Sequence, residues 1–250
     1  MARQTTPRPL PSPPAGTGEG KGKRGHAMTT PRNTLAALYP FEDDAHVPTP
    51  AIDLAALARS VRQKADDHAD TLRRFVDSQT DALVRAAGLI ADAYRSGGQL
   101  LTMGNGGSSC DAAHLAVEFL HPVTTGRPSL PAIDLAADIA MLTAVGNDVG
   151  FEQIFARQVI ARGRRGDCLV GFSTSGNSAN LLAAFHTARE RGLSTIGFAG
   201  GGGGAMARDG AVDVCLTPAT QSIHRVQEVH LTAYHILWDL VHTLLAGQRG

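Results

Sequence analysis

His114 and Glu118 stand four residues apart in a stretch whose Leu, Ala and Val content predicts a helix, so both side chains fall on one face. A His/Glu pair placed this way can move protons or hold a cation. The stretch opens with Gly104-Asn105-Gly106-Gly107-Ser108-Ser109, directly after a predicted strand from Gln99 to Met103. Glycines let the backbone approach a ligand closely, the serines add hydroxyls, and a helix N-terminus favours a phosphate or carboxylate. Asp111, early in the same helix, either lines the site or simply faces the helix dipole.

A second segment, Ser173-Thr174-Ser175-Gly176-Asn177-Ser178, also leaves a strand and enters a helix. Capping a helix needs one hydroxyl, and this segment carries four. A phosphate, with its several acceptor oxygens, accounts for the surplus. No Gly-x-x-x-x-Gly-Lys-Ser/Thr run is present, so a nucleoside triphosphate loop is not supported.

The third segment lies in the last predicted helix, where Gln227, His230, Tyr234 and His235 interrupt the apolar residues Val226, Val229, Leu231, Ile236 and Leu237. Gln227 and His235 are eight apart, about two turns, and share a face. His230 falls to the flank, as a hydrogen-bonded or surface side chain. Together His114, Glu118, Gln227 and His235 make either an acid/base site or a four-ligand metal site. Zinc takes His and carboxylate ligands readily, and Gln less usually.

The elements that must position these residues alternate. Ile52 to Tyr94 has apolar residues at helical spacing and reads as two helices or one long broken one, stopped by Ser96-Gly97-Gly98. After Gln99–Met103 and its helix, strands are expected at 132–135, 168–172, 195–198 and 212–216, and helices up to Val145, over 151–162, 178–191 and 223–246. Strand and helix in alternation predict an α/β fold, a doubly wound five-stranded parallel sheet with an N-terminal helical extension. The ligand site of such a sheet lies beyond the carboxyl ends of the strands. The run Gly200 to Gly204 reads as a floppy loop or a mobile lid.

Composition sets the limits. Nine of the 13 prolines fall within the first 50 residues, and Pro7 to Arg24 is Pro/Gly-rich and basic with few large apolar side chains. Residues 1–48 are therefore expected to form a disordered tail, and residues 49–250 one domain. A net charge of zero gives no global field for nucleic acid. No apolar run matches a bilayer span or a secretory signal, so a cytoplasmic protein without a membrane partner is expected. Cys110, Cys168 and Cys215 lack the paired spacing of a zinc knuckle or redox motif.

These segments resemble the sugar isomerase (SIS) domain and, within it, the phosphoheptose isomerases. The likeness runs from about Ile52 onward and rests on Gly104-Asn105-Gly106-Gly107-Ser108, His114 with Glu118, Arg127-Pro128 with Pro131-Ala132-Ile133, Val145-Gly146-Asn147-Asp148, Ser173 to Ser178, and Gln227-Glu228 with His235. It implies a flavodoxin-like SIS sheet, a homotetramer with active sites at subunit interfaces, and isomerisation of sedoheptulose 7-phosphate to D-glycero-D-manno-heptose 7-phosphate through an enediol. Glu118 and His235 would be the proton-transfer pair. Ser173, Thr174, Ser175 and Ser178 would hold the phosphate, with Asn105, Gly106, Gly107, Ser108, Asp148 and Gln227 around the sugar. Zinc would be held by His114, Glu118, Gln227 and His235. The chain departs from the pattern at Pro122, where an Arg is common, and at His224, where many members have Asp. Two other readings stay open: a non-catalytic SIS protein, either a sugar-phosphate sensor or a replication-initiator partner, and an isomerase of another phosphosugar.

Overall fold

A computed structural model describes residues 53–247. The expected tail over 1–48 lies outside the described residues, as do residues 49–52 and 248–250 of the expected domain.

Helix α1 (Leu54–Arg95) is continuous over 42 residues, where two helices or a broken one were expected. The Asp53 carboxylate caps its start by accepting from the amides of Ala55 and Ala56. Nothing lies within 4 Å of the position a Cβ would take on Gly88, so the one glycine inside the helix meets no packing conflict. Burial begins only at Thr71; Leu54, Leu57 and Val61 are exposed.

There follow β1 (Leu100–Gly104), α2 (Gly107–Leu120), β2 (Ala132–Asp134), α3 (Ile139–Asp148), a 3-10 turn at Phe151–Gln153, and α4 (Ala156–Arg162). The chain continues through β3 (Cys168–Ser173), α5 (Ala179–Glu190), β4 (Ser194–Ala199), β5 (Val214–Leu216) and α6 (Ile223–Ala246). All strand pairs are parallel, in the order β2-β1-β3-β4-β5. Every residue of β1 and β3 is buried, as central strands covered on both faces require.

Successive strand residues feed two cores. Leu100, Val170, Phe172, Ile196 and Phe198 pack with Phe75, Leu115, Phe119, Tyr234 and Trp238 from α1, α2 and α6. Leu101, Met103 and Leu169 pack with Phe155, Val159, Leu181 and Phe185 on the other face. Strand order reverses between β1 and β3, which is where an open α/β sheet leaves a crevice. The two glycine- and serine-rich segments leave those two strands side by side, with Gly104 paired to Phe172.

Candidate functional site

Helices α2 and α6 carry the acid/base groups, and two contacts between them fix their register. The Trp238 indole N–H donates to the Glu118 backbone carbonyl at 2.8 Å. Tyr234, whose ring is 1% exposed and meets Phe172 edge-on, places its hydroxyl 2.6 Å from His114 Nδ1. His114 Nε2 in turn lies 3.2 Å from Glu118 Oε1. His235, on the turn of α6 next to Tyr234, completes a group in which one ligand atom from each of His114, Glu118 and His235 lies within 4.8 Å of the others.

The electrostatics of this cluster follow from its partial burial. The His235 imidazole is lowered by burial and by the neighbouring His114 ring, with Glu118 acting in the opposite sense. Burial raises the Tyr234 phenol, and the charges of Asp111 and Glu118 add to that. Burial lifts the Asp111 carboxyl to about 6, the nearby His114 working against the rise. Two imidazoles and a carboxylate make a nitrogen/oxygen donor set of the kind a catalytic zinc uses, so the residues fit that ion. The fourth expected ligand, Gln227, has its side-chain amide over Gly107, about two turns of α2 before His114. A Cβ on Gly107 would overlap the Gln227 Nε2, so a larger residue there would turn the Gln227 amide aside.

The second loop is built differently. Ser173 Oγ lies 2.9 Å from Ser178 Oγ and accepts from the Gly176 amide at 3.1 Å; Ser175 Oγ accepts from the Asn177 amide at 3.2 Å. The Ser178 side chain makes no cap bond to α5, although Ser178 is its N-cap residue. A cavity of about 320 Å³ opens beside the loop, lined by Thr174, Ser175, Asn177, Thr220, Gln221 and Val226 among others. Hydroxyls, amides and a helix N-terminus face it, a lining suited to phosphate.

The glycine run corrects the expectation of a floppy loop or lid. Gly201, Gly202, Gly203 and Gly204 all have positive φ, from 56° to 90°, and form a tight turn. That turn is pressed against the second loop: a Cβ on Gly176 would overlap the Gly203 carbonyl, and one on Gly204 would overlap the Ser175 carbonyl. The Asn177 carboxamide oxygen accepts from Ala205 N at 2.8 Å, and Gly176 O from Met206 N at 2.9 Å. The glycines are there for close approach, and the run braces the serine loop.

The model of the SIS domain matches residues 65–200. The phosphoheptose isomerase of Roseiflexus sp. is 42% identical over 190 residues, covering 76% of this chain and 95% of its own. Two solved phosphoheptose isomerases superpose well. That from Francisella tularensis has a TM-score of 0.71 at 32% identity, covering 74% of this chain and 98% of its own. That from Neisseria gonorrhoeae has 0.69 at 35% identity, covering 75% and 99%. The chain belongs to the phosphoheptose isomerase family. The α/β SIS fold expected from the sequence is the fold of that family.

Other expected site residues sit as follows. Asn105 exchanges two amide bonds with Asn180, each 2.9 Å, so it ties the first loop to the start of α5. Ser108 is buried at the start of α2, with Gly106 and Gly107 exposed before it. Asp148 ends α3, exposed, and accepts from the Asn147 amide. His230, expected at a flank, is instead fully buried between Phe172 and Phe198, and its Nε2 meets the Ala199 carbonyl at 3.4 Å. Burial lowers its pKa to about 4, so it is a neutral core residue. Sequence reasoning missed Asn180, Thr220, Gln221 and Trp238. Among the described residues, no helix is long and apolar enough to cross a membrane.

Proposed function

We propose that the protein is an aldose–ketose isomerase converting sedoheptulose 7-phosphate into D-glycero-D-manno-heptose 7-phosphate, or a closely related heptose 7-phosphate. The observation that carries this reading is the convergence of His114, Glu118 and His235, in a fold that also holds a cavity lined by Thr174, Ser175, Asn177 and Thr220 beyond the carboxyl ends of β3 and β5. Ser173, Thr174, Ser175 and Ser178 hold the phosphate, and this remote anchoring orients the reacting end. Glu118 removes the proton from the carbon next to the carbonyl, giving an enediol, exchanges that proton with solvent, and delivers a proton to the neighbouring carbon. His235, lowered toward the neutral imidazole, moves protons between the sugar oxygens. Asn105, Gly106, Gly107, Ser108, Asp148 and Gln227 line the sugar.

His114, Glu118 and His235 would hold a zinc ion, with Gln227 approaching from the Gly107 side. When bound, zinc supplies polarisation of the carbonyl and of the developing enediolate. The protein works in the cytoplasm as a homotetramer with active sites at subunit interfaces; Val117 and Leu120, exposed on either side of Glu118, support an interface there. The departures at Pro122 and His224 keep one second reading open, an isomerase of another phosphosugar.

Proton NMR of purified protein with sedoheptulose 7-phosphate, run untreated, with chelator, and with zinc restored, tests the reading. Aldoheptose phosphate should form, fall away with chelator and recover with zinc. Turnover of other ketose phosphates with sedoheptulose 7-phosphate left unchanged would move the assignment to the second reading.

A further inference from the structure

Arg127 stands in the loop between α2 and β2 and takes no part in the roles assigned above, yet its side chain reaches across to α6. The guanidinium carbon lies 4.7 Å from the centroid of the Trp238 ring. The guanidinium also donates to the Asp239 carboxylate and, at 3.4 Å, to the Asp239 backbone carbonyl. Close packing does not hold this part of the loop: a cavity of about 300 Å³ lies between residues 125–128 and the last turns of α6, at His242, Thr243, Leu245 and Ala246. The Arg127 contacts span that gap.

Trp238 carries the contact on to Glu118. Glu118 sits in the last turn of α2, where the backbone carbonyls run out of partners along the helix. Groups from outside the helix close that end. The Leu130 amide donates to the Phe119 carbonyl at 2.8 Å, the Ser129 hydroxyl to the Leu120 carbonyl, and the Trp238 indole N–H to the Glu118 carbonyl at 2.8 Å. Trp238 is also one turn beyond His235 on α6, so the side chain that holds Glu118 stands on the same helix face as the other proton-transfer group.

We infer that Arg127 and Trp238 are positioning residues: the guanidinium holds the indole in place, and the indole N–H holds the Glu118 carbonyl, fixing where the carboxylate stands relative to His235. The chemistry suits the task. A guanidinium is planar and stays charged, so it lies against the indole while its N–H groups reach Asp239. The indole N–H is a donor only, matched to a carbonyl that needs one. A misplacement of about 1 Å can cost about 100-fold in rate, so even a small displacement of this turn is read in kcat.

This inference rests on the reading of Glu118 as the base, and its test separates the two. Trp238 is the one tryptophan of the chain, so the protein gives a single indole N–H signal in proton–nitrogen NMR. Trp238→Phe, which keeps an aromatic ring and removes the donor, should lower kcat about tenfold with KM and inorganic phosphate binding little changed. Urea titration sets the temperature at which that variant is assayed fully folded. Arg127→Met, which keeps the stem and removes the guanidinium, should leave the indole N–H exchanging with solvent about tenfold faster and should lower kcat as well. In the double variant Arg127→Met should cost no more than about twofold beyond Trp238→Phe, since the guanidinium acts through the indole. Wild-type kcat in folded Trp238→Phe would overturn the inference, as would unchanged indole exchange in Arg127→Met or kcat losses that simply multiply in the double variant. If wild type leaves sedoheptulose 7-phosphate unchanged, the functional reading fails, and the indole exchange comparison alone decides whether Arg127 holds Trp238.

Discussion

The two ends of the site solve opposite problems. The cluster of His114, Glu118 and His235 is made of side chains on two long helices, locked together by Tyr234 and Trp238. The serine loop is made of backbone and short hydroxyls, and what holds it is the close approach of the Gly200–Gly204 turn. Proton transfer needs groups with tunable pKa on rigid supports, whereas an anion needs several donors converging on one point. Substitutions at the first end should therefore act on kcat, and at the second on KM and on folding.

The largest effect belongs to the first end: Glu118→Gln should lower kcat about 1000-fold with KM little changed, within the range expected for loss of a general base. A matching rise in KM would mean the two ends are not separable. Next comes Gly176→Ala, which places a methyl where the Gly203 carbonyl stands and strains a backbone at φ 65°. It should lower unfolding free energy by about 2 kcal/mol and raise KM, read by denaturant titration and initial rates.

Ser173→Ala removes the acceptor for Gly176 N and the partner of Ser178 Oγ, so KM should rise about tenfold, about 1.4 kcal/mol, with kcat held within a few-fold. A fall in kcat alone would place Ser173 at the reacting end instead.

His230 gives the pH dependence. Its folded pKa, about 4, lies below the unfolded value near 6.5, so between these pH values the unfolded chain binds more protons. Its contribution to stability is whole above about 6.5 and is lost as pH falls toward 4; the loss amounts to on the order of 2 kcal/mol at pH 5. Urea midpoints at pH 7 and pH 5 should converge in His230→Leu relative to wild type. Equal pH sensitivity in the two proteins would assign the acid loss elsewhere.

Legibility in the sequence divided along the same line. Helix α6 runs from Ile223 to Ala246, as its apolar spacing predicts, and the strands fall within a residue or two of their expected places. Composition misled where contacts are tertiary. Leu54, Leu57 and Val61 stand at helical spacing but lie exposed, and α1 runs on without the expected break. The Gly200–Gly204 run showed conformational freedom without showing the loop it braces. Tyr234 was visible as a polar interruption, yet its partner His114 is 120 residues away, a separation no local pattern reports.

Isomerisation in D2O is the most direct test of Glu118 as the enediol-forming base. Wild type should convert sedoheptulose 7-phosphate into aldoheptose 7-phosphate carrying deuterium at C2, while Glu118→Gln, still folded and still binding inorganic phosphate, should form about 1000-fold less. Product formed at the wild-type rate by Glu118→Gln, or sedoheptulose 7-phosphate left unchanged by wild type, would contradict the account.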